Sequence, residues 1–190
     1  ALANGITLAK IFEQLGGIHG QVDIPLVLMG YLNVVERYGL ERFFRDCVAT
    51  GVSGCIIPDL PFRDYLERVK PLADRHDVRV IMMITPETSE ERIRVIDSHT
   101  DGFIYMVSSA STTGAQGSFG PDHLAYFDRV EAMGLRNPRM IGFGIGNRQT
   151  LALAQAHAAG AIIGSKFVSL LRQEGDPDKA LDYLFDALNH

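Results

Sequence analysis

Apolar positions along the chain fall into two kinds of run that alternate. Six short stretches rich in apolar and β-branched residues begin at Ile24, Val52, Val78, Gly102, Arg139 and Gly160. Each is continuous and not alternating, which predicts strands buried on both faces. Between them the spacing changes to that of helices. In "VERYGLERFFRDCVATG" the residues Leu40, Phe43, Phe44, Cys47 and Val48 recur at i, i+3, i+4 and predict one buried face, with Gly51 as the stop. Further helices are predicted over Phe62–His76, Ser89–Ser98, Pro121–Met133, Gln149–Ala159 and Pro177–Asn189, after an opening helix at Ile6–Leu15.

One helix followed by six βα units calls for a parallel sheet with right-handed crossovers. A doubly wound sheet would carry its glycine-rich turn after the first strand. Here the glycine signals follow the last two strands, in "MIGFGIGN" (Met140–Asn147) and "GAIIGSKF" (Gly160–Phe167), where a TIM barrel holds phosphate. The expected fold is therefore α/β, a TIM (β/α)8 barrel with about six of the eight βα units present, as a single incomplete domain over residues 1–190. An open arc of six strands would leave two long parallel edges.

Composition narrows the classes of function. A chain of 190 residues that is 46% hydrophobic buries a core suited to one domain. A formal charge of −5 without a basic stripe argues against nucleic acid as a partner. Cys47 and Cys55 stand in no CxxC pattern, so buried thiols in a reducing compartment are expected, not a disulfide or a zinc site. No apolar run approaches the roughly 18 residues of a membrane span and no signal-peptide pattern occurs, so no membrane partner and a cytoplasmic location are expected.

Chemistry in a barrel sits on the loops after the strands. Glycines at the last two strand ends allow backbone N–H groups to approach a phosphate, and Ser165 adds a hydroxyl beside a helix N-terminus that favours anions. The same glycines also serve tight βα turns, and Lys166 reads as either an aid or a solvated side chain. Asp59, between two prolines, is either a functional carboxylate or the cap of the helix near Phe62. The long, small and polar stretch Ser108–Gly120 suits a lid or an ordinary loop tip. Tyr105, Phe143, Ile56 and Met83 stand near the mouth, where they line an apolar pocket or simply pack the core. His76, His99 and His157 fall on or at the ends of helices, and no Ser/His/Asp or Cys/His pair emerges.

The succession "PLVLMGYLN", "GLERF", "GVSGCIIPDLP", "GFIYMVSSASTTGA", "IGFGI" and "GAIIGS" resembles the tryptophan synthase alpha subunit family over nearly the whole chain. The resemblance implies a TIM barrel that cleaves indole-3-glycerol phosphate by a retro-aldol reaction to indole and glyceraldehyde 3-phosphate. It also implies a PLP-dependent beta subunit as partner, to which the indole passes, and no cofactor or metal for the alpha subunit itself. By matching position, the phosphate contacts are Gly114, Gly144, Gly164 and Ser165. Tyr105 and Phe143 flank the indole and glycerol portions, with Ile56 and Met83 as further pocket members. Thr113 matches a lid threonine that supports a catalytic aspartate, and Asn33 and Asp59 match loops facing the beta subunit. Ser109 stands where many members have arginine.

The family's catalytic glutamate and aspartate lie in a segment of the form "ELGxPFSDPxADGP", and "ALANGITLAKIFEQL" resembles the helix that follows it. The segment therefore falls before residue 1. No catalytic acid or base is assigned within the chain, and these 190 residues alone are expected not to turn over. Two other readings stay open. One is a different phosphate-binding barrel enzyme, such as a sugar-phosphate isomerase or epimerase, against which the apolar mouth argues. The other is a non-catalytic ligand-binding module that regulates a partner through the loops at Asn33 and Asp59.

Overall fold

The computed structural model describes residues 5–108 and 118–190. The chain forms two compact units: Ala1–Met82 with His99–Gly102, and Met83–Ser98 with Phe103–His190.

The first unit opens with α1 (Leu8–Ile18), whose first turn is capped by the Thr7 hydroxyl accepting from the Lys10 amide at 3.3 Å. Then come β1 (Leu26–Met29), α2 (Leu32–Tyr38), α3 (Leu40–Ala49), β2 (Val52–Ile56), α4 (Phe62–Asp64), a π-helical turn (Tyr65–Val69), α5 (Lys70–Arg75) and β3 (Arg79–Ile84). The strands are parallel, with Met29 opposite Ile56 and Ile56 opposite Ile81. Phe12, Phe43 and Phe44 form an edge-on aromatic chain with centroid spacings of 5.7 and 5.4 Å. Cys47 and Cys55 are buried free thiols, as expected from their setting. Burial pushes the Cys47 thiol up to about 12, and Cys55 higher still, so both are neutral and inert near pH 7.

Three local features depart from the apolar pattern. Val48 is 51% exposed: it lies one step past Cys47, beyond the stripe of Phe43, Phe44 and Cys47 that turns inward. β1 alternates between half-buried and exposed residues, with Met29 at 54%, because among the described residues β2 is its only strand neighbour. Gly39, at φ +96°, divides what reads as one helical stretch, and its N–H closes the carbonyls of both Val35 and Glu36. The predicted helix over Phe62–His76 also widens in its middle, where the Lys70 amide reaches back five residues to the Tyr65 carbonyl. Pro71 follows at once. With no N–H to give, its ring would collide with the carbonyl four residues back in a regular α-turn, and the wider turn relieves that clash.

The second unit carries α6 (Glu90–His99), β4 (Ile104–Val107), α7 (Pro121–Ala132), β5 (Arg139–Gly142), α8 (Arg148–His157), β6 (Gly160–Ile162), α9 (Ser165–Glu174) and α10 (Pro177–Asn189). β4, β5 and β6 are parallel, with Val107 opposite Gly142 and Gly142 opposite Ile162. Ile93, Ile104, Met106, Phe127, Val130, Ile141 and Ala154 are fully buried and form its core. Asp97 reaches from α6 to the entry of β5. Its carboxylate accepts from the Arg136 amide at 2.8 Å, the Asn137 amide at 2.9 Å and the Asn137 side chain at 2.9 Å. α8 is capped by the Asn147 Oδ1, which accepts from the Thr150 amide at 2.9 Å, and α10 by Asp176, which accepts from the Asp178 and Lys179 amides. No helix among the described residues is long and apolar enough to cross a membrane.

Candidate functional site

The register of the second unit determines which loop residues meet. Gly142, the last residue of β5, faces Ile162, the last of β6, so the two strands end side by side, and Gly144 and Gly164 each follow two residues after that pair. Parallel neighbours stand roughly 4.8 Å apart, a separation one phosphate group can bridge. Gly144 has φ +81°, a conformation that glycine adopts without a steric penalty. Gly164 is different. Its φ is −117°, open to any residue, and a Cβ built on it would meet no atom within 4 Å. Among the described residues neither the backbone nor the packing requires glycine there, and the space beside it on the solvent side of the turn is open. Gly164 is the N-cap of α9 and Ser165 its first residue, so the first amides of that helix have no intrahelical partners and present their positive end to this space.

Next to these turns stands an aromatic wall. The rings of Tyr105 on β4 and Phe143 after β5 stack with centroids 6.0 Å apart and planes inclined by 28°. Tyr105 is buried, and burial alone pushes its phenol up to about 12, so it is neutral at physiological pH. Gly142 makes this arrangement possible: a Cβ added to it would land on the Tyr105 ring. Phe143 stands at φ +68°, and two bonds from Ser108 hold the segment. The Ser108 amide donates to the Gly142 carbonyl at 3.1 Å, and its hydroxyl donates to the Phe143 carbonyl at 2.7 Å. In the sequence Ser108 reads only as the first residue of the lid stretch and Gly142 only as part of the glycine run, and neither is singled out by itself. The only signals were a serine closing an apolar strand in "YMVS" and a glycine inside one in "MIGFG".

The remaining candidates are distributed as follows. Met83, half-buried on β3, belongs to the second unit. Ile56 belongs to the first, where it lines a small apolar hollow with Leu28, Met29, Val35 and Phe43. Asn33 and Asp59 come together in the first unit. The Asp59 Oδ1 accepts from the Leu32 amide at 2.8 Å, so the carboxylate holds the start of α2, next to the exposed Asn33. It does not cap the helix near Phe62, whose first turn has no side-chain cap. Thr113 and Gly114, together with Ser109, lie outside the described residues. Of the histidines, His157 joins α7 to α8, its Nδ1 lying 3.3 Å from Asp128 Oδ1 and 3.2 Å from Glu131 Oε2.

Comparison with known proteins identifies the family. The family model for the tryptophan synthase alpha chain matches residues 1–185. The tryptophan synthase alpha chain of Phocaeicola vulgatus is 62% identical, the match covering all of this chain and 74% of that one. That of Parabacteroides distasonis is 58% identical over 99% of this chain and 73% of the relative. Among solved structures, the alpha chain from Legionella pneumophila superposes with a TM-score of 0.83 at 29% identity, covering 99% of this chain and 70% of that one. A chain from the tryptophan synthase complex of Pyrococcus furiosus gives 0.84 at 28% identity, covering 99% and 74%. The six parallel βα units are thus those of the α/β barrel class expected from the element order. With both the family model and close relatives matched along its length, the chain belongs to the tryptophan synthase alpha chain family, lyases of tryptophan biosynthesis.

Proposed function

We propose that the chain binds indole-3-glycerol phosphate for retro-aldol cleavage to indole and glyceraldehyde 3-phosphate, with the phosphate held by Gly144, Gly164 and Ser165 and the indole against Tyr105 and Phe143. The observation that carries this reading is the pair of glycine turns that follow the paired ends of β5 and β6, beside a stacked aromatic pair. Backbone amides and a helix N-terminus supply the donors an anion needs, while the stacked rings supply a flat apolar surface for a bicyclic aromatic. Gly114 joins the phosphate contacts and Thr113 the lid in the same reading, with Met83 as an outer pocket member. Among the described residues we assign no acid or base: this part of the fold binds and orients.

The partner in this reading is a tryptophan synthase beta subunit, which Asn33 and Asp59 face from adjoining loops, and the working place is the cytoplasm, within one barrel domain. The stacked aromatic wall favours an indole over a purely polar sugar phosphate.

Gly164→Ala separates binding from folding. The added methyl meets no atom of the described residues, so the melting temperature is expected to stay within about 2 °C, since surface changes away from special features stay within about 0.5 kcal/mol. The same methyl enters the space assigned to the phosphate. Calorimetric titration with a non-cleavable indolylpropyl phosphate is expected to give at least about tenfold weaker binding, or roughly 1.4 kcal/mol. Unchanged affinity would remove the phosphate from this turn.

A further inference from the structure

Ser108 closes β4, is only 3% exposed and spends both its donors on the loop after β5. Its hydroxyl bond goes to the carbonyl of Phe143, a residue whose φ of +68° a bulky L side chain adopts only when its surroundings impose it. The peptide between Phe143 and Gly144 is trans, so its C=O and its N–H point in opposite directions. A grip on the Phe143 oxygen therefore also sets the direction of the Gly144 N–H, which points away from Ser108. That N–H makes no hydrogen bond to another described residue.

We propose that Ser108 is a positioning residue for phosphate binding, holding the Phe143–Gly144 peptide so that the Gly144 N–H is offered to the anion. The proposal rests on the reading of Gly144 as a phosphate contact. Loss of the hydroxyl removes the donor that holds the part-buried Phe143 carbonyl. Rotation of that one peptide would change only the ψ of Phe143 and the φ of Gly144, and a glycine tolerates the new φ at little cost. The rotation would also replace the N–H with a carbonyl oxygen, an acceptor that repels phosphate where the native chain attracts it.

The test uses the ¹⁵N-labelled chain titrated with inorganic phosphate, comparing the native protein, Ser108→Ala and Ser108→Thr. In the native chain the amides of Gly144, Gly164 and Ser165 are expected to respond together. In Ser108→Ala the Gly144 response disappears and affinity drops about tenfold, while Gly164 and Ser165 still respond. Ser108→Thr keeps the hydroxyl and retains the Gly144 response. A native-like Gly144 response in Ser108→Ala would overturn the proposal, as would loss of all three responses together, which marks a merely structural role. If the native chain shows no response at any of the three amides, the phosphate reading itself fails and the proposal falls with it.

Discussion

Gly142→Ala is expected to weaken binding of an indolylpropyl phosphate by about 100-fold, or ~2.7 kcal/mol, the largest loss of affinity among the substitutions considered. The cause is steric. The new Cβ would land on the Tyr105 ring, and that ring has no room to retreat because it is buried and stacked on Phe143. Overpacking of a filled site costs about 1–3 kcal/mol, and part of it would be relieved by displacing Tyr105 and Phe143 from their stack. The displacement removes the flat wall and also loosens the Gly142–Gly144 segment, so both ends of the ligand are affected. Calorimetry with the same ligand checks it. Native affinity with a native melting temperature would mean that the ring moves freely and that the wall is not part of the site.

Asp97→Ala is expected to cost ~3 kcal/mol of stability, because it removes the carboxylate that accepts from the Arg136 and Asn137 amides and from the Asn137 side chain, bonds that are partly or wholly buried. For a chain of this size the melting temperature falls by about 6–12 °C. The effect has a pH signature. Burial alone would raise the Asp97 carboxyl, but the donors from Asn137 and Arg136 outweigh it and hold the group below its ordinary value. A depressed folded-state pKa contributes stability that is fully present above the unfolded value and is lost as pH falls through the folded value. The gap between native and variant proteins should therefore be constant from pH 7 to about 5 and narrow below about pH 4. Thermal melts across that range decide it, and a gap that widens on acidification would contradict the assignment.

These two residues also mark what was legible in the sequence. The order of strands and helices was readable because each element buries enough apolar surface to impose its own period, and the predicted runs recur with boundaries shifted by at most three residues, although Gly39 divides one helical run in two and α9 was given no bounds. Gly144, Gly164 and Ser165 were readable because glycine and serine at strand ends carry a local conformational meaning. Gly142 was not, since what demands it is a tyrosine on the neighbouring strand. Asp97 was hidden for a similar reason. It sits one step after the buried Ile96 and four after Ile93, so an acid on a buried face was the only sign, while its partners lie about 40 residues away. Asp59 illustrates the same limit: a helix was rightly considered as its partner, but the helix it holds begins at Leu32, 27 residues earlier. Local pattern indicates element type, whereas the choice of partner belongs to the folded register.

The most direct test of the account is amide mapping of the native chain with an indolylpropyl phosphate. The account predicts the largest shifts at Gly144, Gly164 and Ser165, with ring-current shifts in the Tyr105 and Phe143 side chains. Shifts confined to other loops, with these five residues unmoved, would contradict it.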